Sequence, residues 1–78
     1  MEINENVNAK ANFYFNNKLK CHVKIKPIGF INGIFLSELI DNLYYWFEDL
    51  RNPGQKERLF LVGIYDIKDY EEIIEDGI

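Results

Sequence analysis

Two runs of alternating residues dominate the first third of the chain. Ala9, Ala11, Phe13 and Phe15 alternate with Lys10, Asn12, Tyr14 and Asn16, and Leu19, Cys21, Val23 and Ile25 alternate with Lys20, His22, Lys24 and Lys26. A period of two places one set of side chains on each side of a strand, so the pattern predicts a β-hairpin. Register fixes the loop. Only a three-residue loop, Asn16-Asn17-Lys18, sets Phe15 against Leu19, Phe13 against Cys21 and Ala11 against Val23, with every apolar residue on one face. Such a loop calls for a residue in the left-handed region.

Pro27 lacks a backbone donor and ends the ladder. The apolar stretch Phe30–Leu36 reads as a third strand, in which Gly33 signals a bulge or a close approach of backbone. Ser37 reads as an N-cap, with Glu38 and Asp41 in the first turn of a helix over Glu38–Arg51. Leu39, Ile40, Leu43, Trp46, Phe47 and Leu50 follow helical spacing, and Asn52-Pro53-Gly54 stops the run. Arg58–Ile67 reads as a further strand. Asp66–Asp76 reads as a short helix capped by Asp69, with Glu72 completing a capping box. The order β-β-β-α-β with a short final helix predicts an α+β fold, a small mostly antiparallel sheet packed on one long amphipathic helix. Residues 1–8 read as a flexible polar arm, and residues 9–78 as a single domain.

Charge is sorted along the chain. Lys10–Lys26 holds five lysines and no acid, whereas Pro27–Ile78 holds eleven acids against four bases, and the whole chain carries −4. This sorting bears on partners more than on fold. No apolar run reaches the length of a membrane span, no secretory pattern is visible at the start, and one cysteine allows no internal disulfide framework. A cytoplasmic protein without membrane contact is therefore expected. Heavy use of Asn, Lys, Ile, Glu and Asp suggests an AT-rich coding sequence, as in phages, mobile elements and low-GC bacteria.

Catalytic chemistry finds little support. There is one His and one Cys, adjacent in a strand pattern and so on opposite faces, and no phosphate loop, dinucleotide fingerprint or HExxH. The expectation is a non-enzyme with no metal and no cofactor. Two binding surfaces stand out instead. Asp69, Glu71, Glu72, Glu75 and Asp76, with Glu48 and Asp49 and the tyrosines Tyr44 and Tyr45, suggest a protein-binding module. Its acids would steer it onto a basic partner surface while the tyrosines anchor it. Small acidic inhibitors of nucleic-acid-guided enzymes act in this way, so an inhibitor or regulator with an anti-defence role is the first expectation. The alternative, set behind it because the chain is acidic overall, is a single-stranded nucleic-acid-binding face made of Tyr14, Lys20, Lys24 and Lys26. A free strand edge at Ala9–Phe15 or Arg58–Ile67 would permit a homodimer.

Overall fold

The segment read as the first arm of a hairpin is a helix. In the computed structural model, which describes residues 5–70, α1 spans Glu5–Asn16. Val7, Ala11 and Tyr14 are its buried residues, spaced i, i+4, i+7. Alternation over Ala9–Asn16 placed Tyr14 on the polar side and left Val7 out of the window. Extending the window upstream by two residues makes the helical stripe visible. The left-handed residue expected in this region is Lys18 (φ 53°), yet it closes a helix rather than a hairpin. Asn17 N–H and its side-chain Nδ2 both donate to the Phe13 carbonyl, at 3.1 and 2.8 Å, and Leu19 N–H donates to Tyr14 O at 3.0 Å. The helix begins inside the segment read as an arm, and Asn8 Oδ1 accepts a 2.7 Å hydrogen bond from the Tyr45 hydroxyl.

Five strands follow: β1 (Cys21–Ile25), β2 (Phe30–Phe35), β3 (Tyr44–Asp49), β4 (Lys56–Phe60) and β5 (Ile64–Asp69). They form one antiparallel sheet in the order β4-β3-β2-β1-β5, with α1 packed against it across β5 and β2. The α+β class expected from the sequence is correct, but the helix and one strand have exchanged places.

The long helix expected over Glu38–Arg51 does not form. Tyr44–Asp49 is a strand whose residues are alternately half-buried and buried, with Tyr45, Phe47 and Asp49 inward. Four successive aromatic residues cannot share one stripe of a helix, whereas a strand sorts them two and two and suits their propensity. Ser37 is not a helix cap. Its hydroxyl accepts the Trp46 N–H at 2.9 Å and donates to Glu38 O at 2.9 Å. Asp41 and Asn42 both have positive φ (53° and 56°), and Leu43 N–H donates to Ile40 O at 2.9 Å. That is the backbone of a type I′ turn, which turns the chain into β3. The strand expected over Arg58–Ile67 is two strands joined by a 3₁₀ turn at Leu61–Gly63. Asp66–Asp69 belong to β5, and the rest of the expected final helix, beyond Tyr70, lies outside the described residues.

The sheet is curled. β4 and β5 lie at its opposite edges yet are joined by only three residues. A flat five-stranded sheet would separate its outer strands by about 19 Å. A 3₁₀ turn advances only about 2 Å per residue, so the edges must bend toward each other. The concave side holds the core: Cys21, Val23, Phe35, Tyr45, Phe47, Ile64 and Ile67 are each no more than 2% exposed, and α1 lies over them. Phe35 meets Tyr45 and Phe47 edge-to-face at 5.0 and 5.1 Å. Gly33 confirms the close backbone approach expected of it. It pairs with Cys21 on one side and Asp49 on the other, and a Cβ there would overlap the Glu48 carbonyl oxygen and lie 2.6 Å from the Phe47 ring.

Candidate nucleic-acid interface on the outer sheet face

Alternation along each strand sends a second set of side chains to the convex face, away from α1. On β3 and β4 the directly opposed pairs there are Tyr44 with Phe60, Trp46 with Arg58 and Glu48 with Lys56. The Lys56 ammonium stands 4.6 Å from the Trp46 ring centre. The Arg58 guanidinium lies 5.1 Å from Tyr44 and 5.6 Å from Trp46. These are cation–π distances. Tyr44 contacts Trp46 edge-on at 5.6 Å and Phe60 at 6.0 Å. Glu48 turns toward the β3–β4 turn, where Oε2 accepts the Gly54 N–H at 3.1 Å.

A second aromatic group occupies the β1–β2 part of this face. His22 and Phe30 stack at 4.8 Å with 27° between their planes. His22 Nδ1 lies 2.7 Å from Asn32 Oδ1, within hydrogen-bonding distance. Lys20 approaches the Tyr70 ring at 5.9 Å. Lys20, Lys24 and Lys26 are exposed, as expected for the basic set.

Tyr14, the aromatic expected beside those lysines, is not with them. It is buried on the helix side, where its hydroxyl donates to Asp69 Oδ1 at 2.5 Å, and burial followed by that carboxylate pushes its pKa up to about 12. The acidic set is likewise divided. Tyr44 and Glu48 lie on the outer face, whereas Tyr45 is fully buried. Asp49 is buried too, with Oδ1 accepting the Arg51 backbone N–H at 2.9 Å and Oδ2 accepting Arg51 Nη2 at 2.9 Å; these hydrogen bonds hold its carboxyl below the usual range. Asp69 faces α1, and Glu71, Glu72, Glu75 and Asp76 lie outside the described residues. The residues that sequence reasoning missed are Trp46, Lys56, Arg58, Phe60, Phe30 and Asn32. Reading Tyr44–Asp49 with a period of two would have separated Trp46 and Tyr44 from the core-facing Tyr45 and Phe47.

Charge on the described part differs from that of the whole chain. Residues 5–70 contain nine bases and eight acids, and the remaining five acids lie outside that range. One of those eight, Asp66, is paired with Lys10 at 2.7 Å, and another is the buried Asp49. The sheet domain is therefore not an acidic body, and its outer face carries Lys24, Lys56, Arg58 and Lys68.

The core side has its own pH dependence. Burial pushes the Cys21 thiol from 9.0 up to about 12, and the Tyr45 hydroxyl from 10.0 up to about 12, alongside Tyr14. Each group stays protonated in the folded state where the unfolded chain has already lost the proton. Their joint contribution is complete below pH 9 and is lost as pH rises toward about 12. Thermal unfolding followed by circular dichroism should show the midpoint falling across that window, with a shallower fall in Tyr45→Phe. A midpoint that stays level to the top of the window would contradict the burial of these groups.

Among the described residues no helix is long and apolar enough to cross a membrane. Compared with known proteins, the chain matches no family model, no curated protein and no solved structure.

Proposed function

We propose that this protein binds single-stranded nucleic acid along the convex face of its sheet. The observation that carries the reading is Trp46 set between Tyr44 and the cations Lys56 and Arg58 on an open strand surface. Planar rings offer stacking to any base, and neighbouring cations meet the phosphates between them. Base stacking on an aromatic side chain contributes about 1–3 kcal/mol per base. Within residues 5–70 bases outnumber acids nine to eight, which supports the reading, although the whole chain carries −4. A basic protein partner is supported less well by the described members of that set, because Tyr45 and Asp49 are buried and Asp69 is engaged by Tyr14.

Trp46 is the single tryptophan, so its own fluorescence reports on the face. Titration with an unlabelled single-stranded oligonucleotide should quench it to saturation. The logarithm of the binding constant should fall linearly with that of salt concentration, by about 0.7 per phosphate contacted. Unchanged Trp46 emission at low salt, together with unchanged anisotropy of a labelled oligonucleotide, would refute the reading.

A further inference from the structure

We infer that the acidic segment 71–78 of the chain competes with nucleic acid for the lysines at the β5 end of the outer face, an inference that rests on the nucleic-acid reading above. Residues 71–78 hold four acids, Glu71, Glu72, Glu75 and Asp76, and no base. Residues 5–70 hold nine bases against eight acids. The negative charge of the chain is thus concentrated beside a slightly basic body, and the place where the two join decides which cations the acids can meet.

The join lies on the outer face. Asp69 turns inward, where the Tyr14 hydroxyl donates to it, so alternation along the strand sends its neighbours Lys68 and Tyr70 outward. Lys20 Nζ lies 5.9 Å from the Tyr70 ring, and Tyr70 lines a groove with Phe30 and Arg51. Lys68 opposes His22 in the β1–β5 ladder, and Lys24 follows two residues further along β1, opposite Asp66. From Tyr70 to Lys24 is therefore about 14 Å, four residues of strand. Eight extended residues span up to about 27 Å, so the acids of 71–78 reach Lys20, Lys24 and Lys68 alike. These three lysines are exposed, and none has a described acid within ion-pairing distance. Their ammonium groups are what the phosphates of a bound strand would use, and a carboxylate competes for the same groups. One exposed ion pair contributes little, but here four acids act on one cluster, and the tether gives them an effective concentration on the order of millimolar. The segment lowers affinity for nucleic acid in this way, most strongly at low salt.

The test uses the full chain and two double variants of equal charge. Glu71→Gln with Glu72→Gln neutralises two acids next to the join. Glu5→Gln with Glu57→Gln removes the same charge from the first turn of α1 and from a β4 position opposite the inward-facing Phe47. By Trp46 quenching at low salt, the first variant should bind a single-stranded oligonucleotide about fivefold more tightly than wild type, and the second less than twofold more tightly. The gap should narrow as salt rises, since the screening length falls from about 10 Å at 0.1 M to about 3 Å at 1 M. A second readout needs no nucleic acid. The Lys20 and Lys24 amide resonances of the free protein should differ between wild type and Glu71→Gln with Glu72→Gln at low salt, and converge at high salt. Unchanged resonances, or wild-type affinity in that variant, would overturn the competition and leave the nucleic-acid reading standing. Equal tightening in both variants would also overturn it, because net charge rather than placement would then be the cause. Binding of no oligonucleotide by any of the three proteins would overturn the nucleic-acid reading and the competition with it.

Discussion

Replacing Gly33 with alanine is expected to abolish cooperative folding. Gly33 sits where β2 is gripped between β1 and β3, and a methyl group there meets a backbone carbonyl, Glu48 O, and the fully buried Phe47 ring at once. A flexible side chain could swing away, but a carbonyl within a ladder cannot move without breaking the Gly33–Asp49 and Ile34–Glu48 pairing. Overpacking of this kind costs about 3 kcal/mol or more. A domain of this size has a net stability of only about 3–5 kcal/mol from its core. The variant should show no sharp thermal transition and should lose near-ultraviolet dichroism from the packed tyrosines. A cooperative transition within a few degrees of wild type would mean that the β2–β3 contact is looser than described. Gly54 serves as the control. Its φ is +86° but a Cβ there meets nothing, so Gly54→Ala should cost only about 1 kcal/mol through backbone strain.

Reversing Lys56 and Arg58 together to glutamate is expected to reduce affinity for single-stranded oligonucleotides by roughly a hundredfold or more at low salt, because two phosphate contacts are exchanged for repulsions. Both residues are exposed on the edge strand β4, so the fold should persist with only a small fall in melting temperature, part of it from setting a second acid opposite Glu48. The salt dependence should also flatten, by a slope of about 1.4 for two lost contacts. Lys20→Glu with Lys24→Glu probes the other half of the face. If both pairs of reversals weaken binding, the strand runs across the whole sheet. If neither pair changes it, the outer face is not where nucleic acid binds.

The sequence discloses this fold unevenly, for physical reasons. Cys21–Ile25 is legible because apolar and polar residues alternate there, Phe30–Phe35 because it is a short run rich in β-branched and aromatic residues, and Pro27 and Gly29 separate the two. Glu5–Asn16 is misleading because small alanines at Ala9 and Ala11 fit either period, and the deciding residue, Val7, stands outside the alternating window. Leu39–Leu50 is misleading for the opposite reason. Leu39, Ile40 and Leu43 complete a helical stripe, but they belong to a loop around Asp41-Asn42, a pair that tolerates positive φ and marks a hairpin turn. The lysines of the basic face were legible from β1 alone. The other members of the face were not, since Trp46, Arg58 and Phe30 come from strands that meet only through the sheet order.

The short link at Leu61–Gly63 also governs how the chain reaches its native state. The pairings from β1 through β4 join strands that are neighbours in sequence, so each forms by closing a short loop. β5 is different. Ile64 must find Ile25, and Asp69 must find Cys21, after the intervening strands have assembled and curved enough for three residues to bridge their edges. Such long-separation pairing slows folding. Closure at β5 is accordingly the expected late step, and pulsed hydrogen exchange during refolding should protect the β3–β4 amides before those of β5.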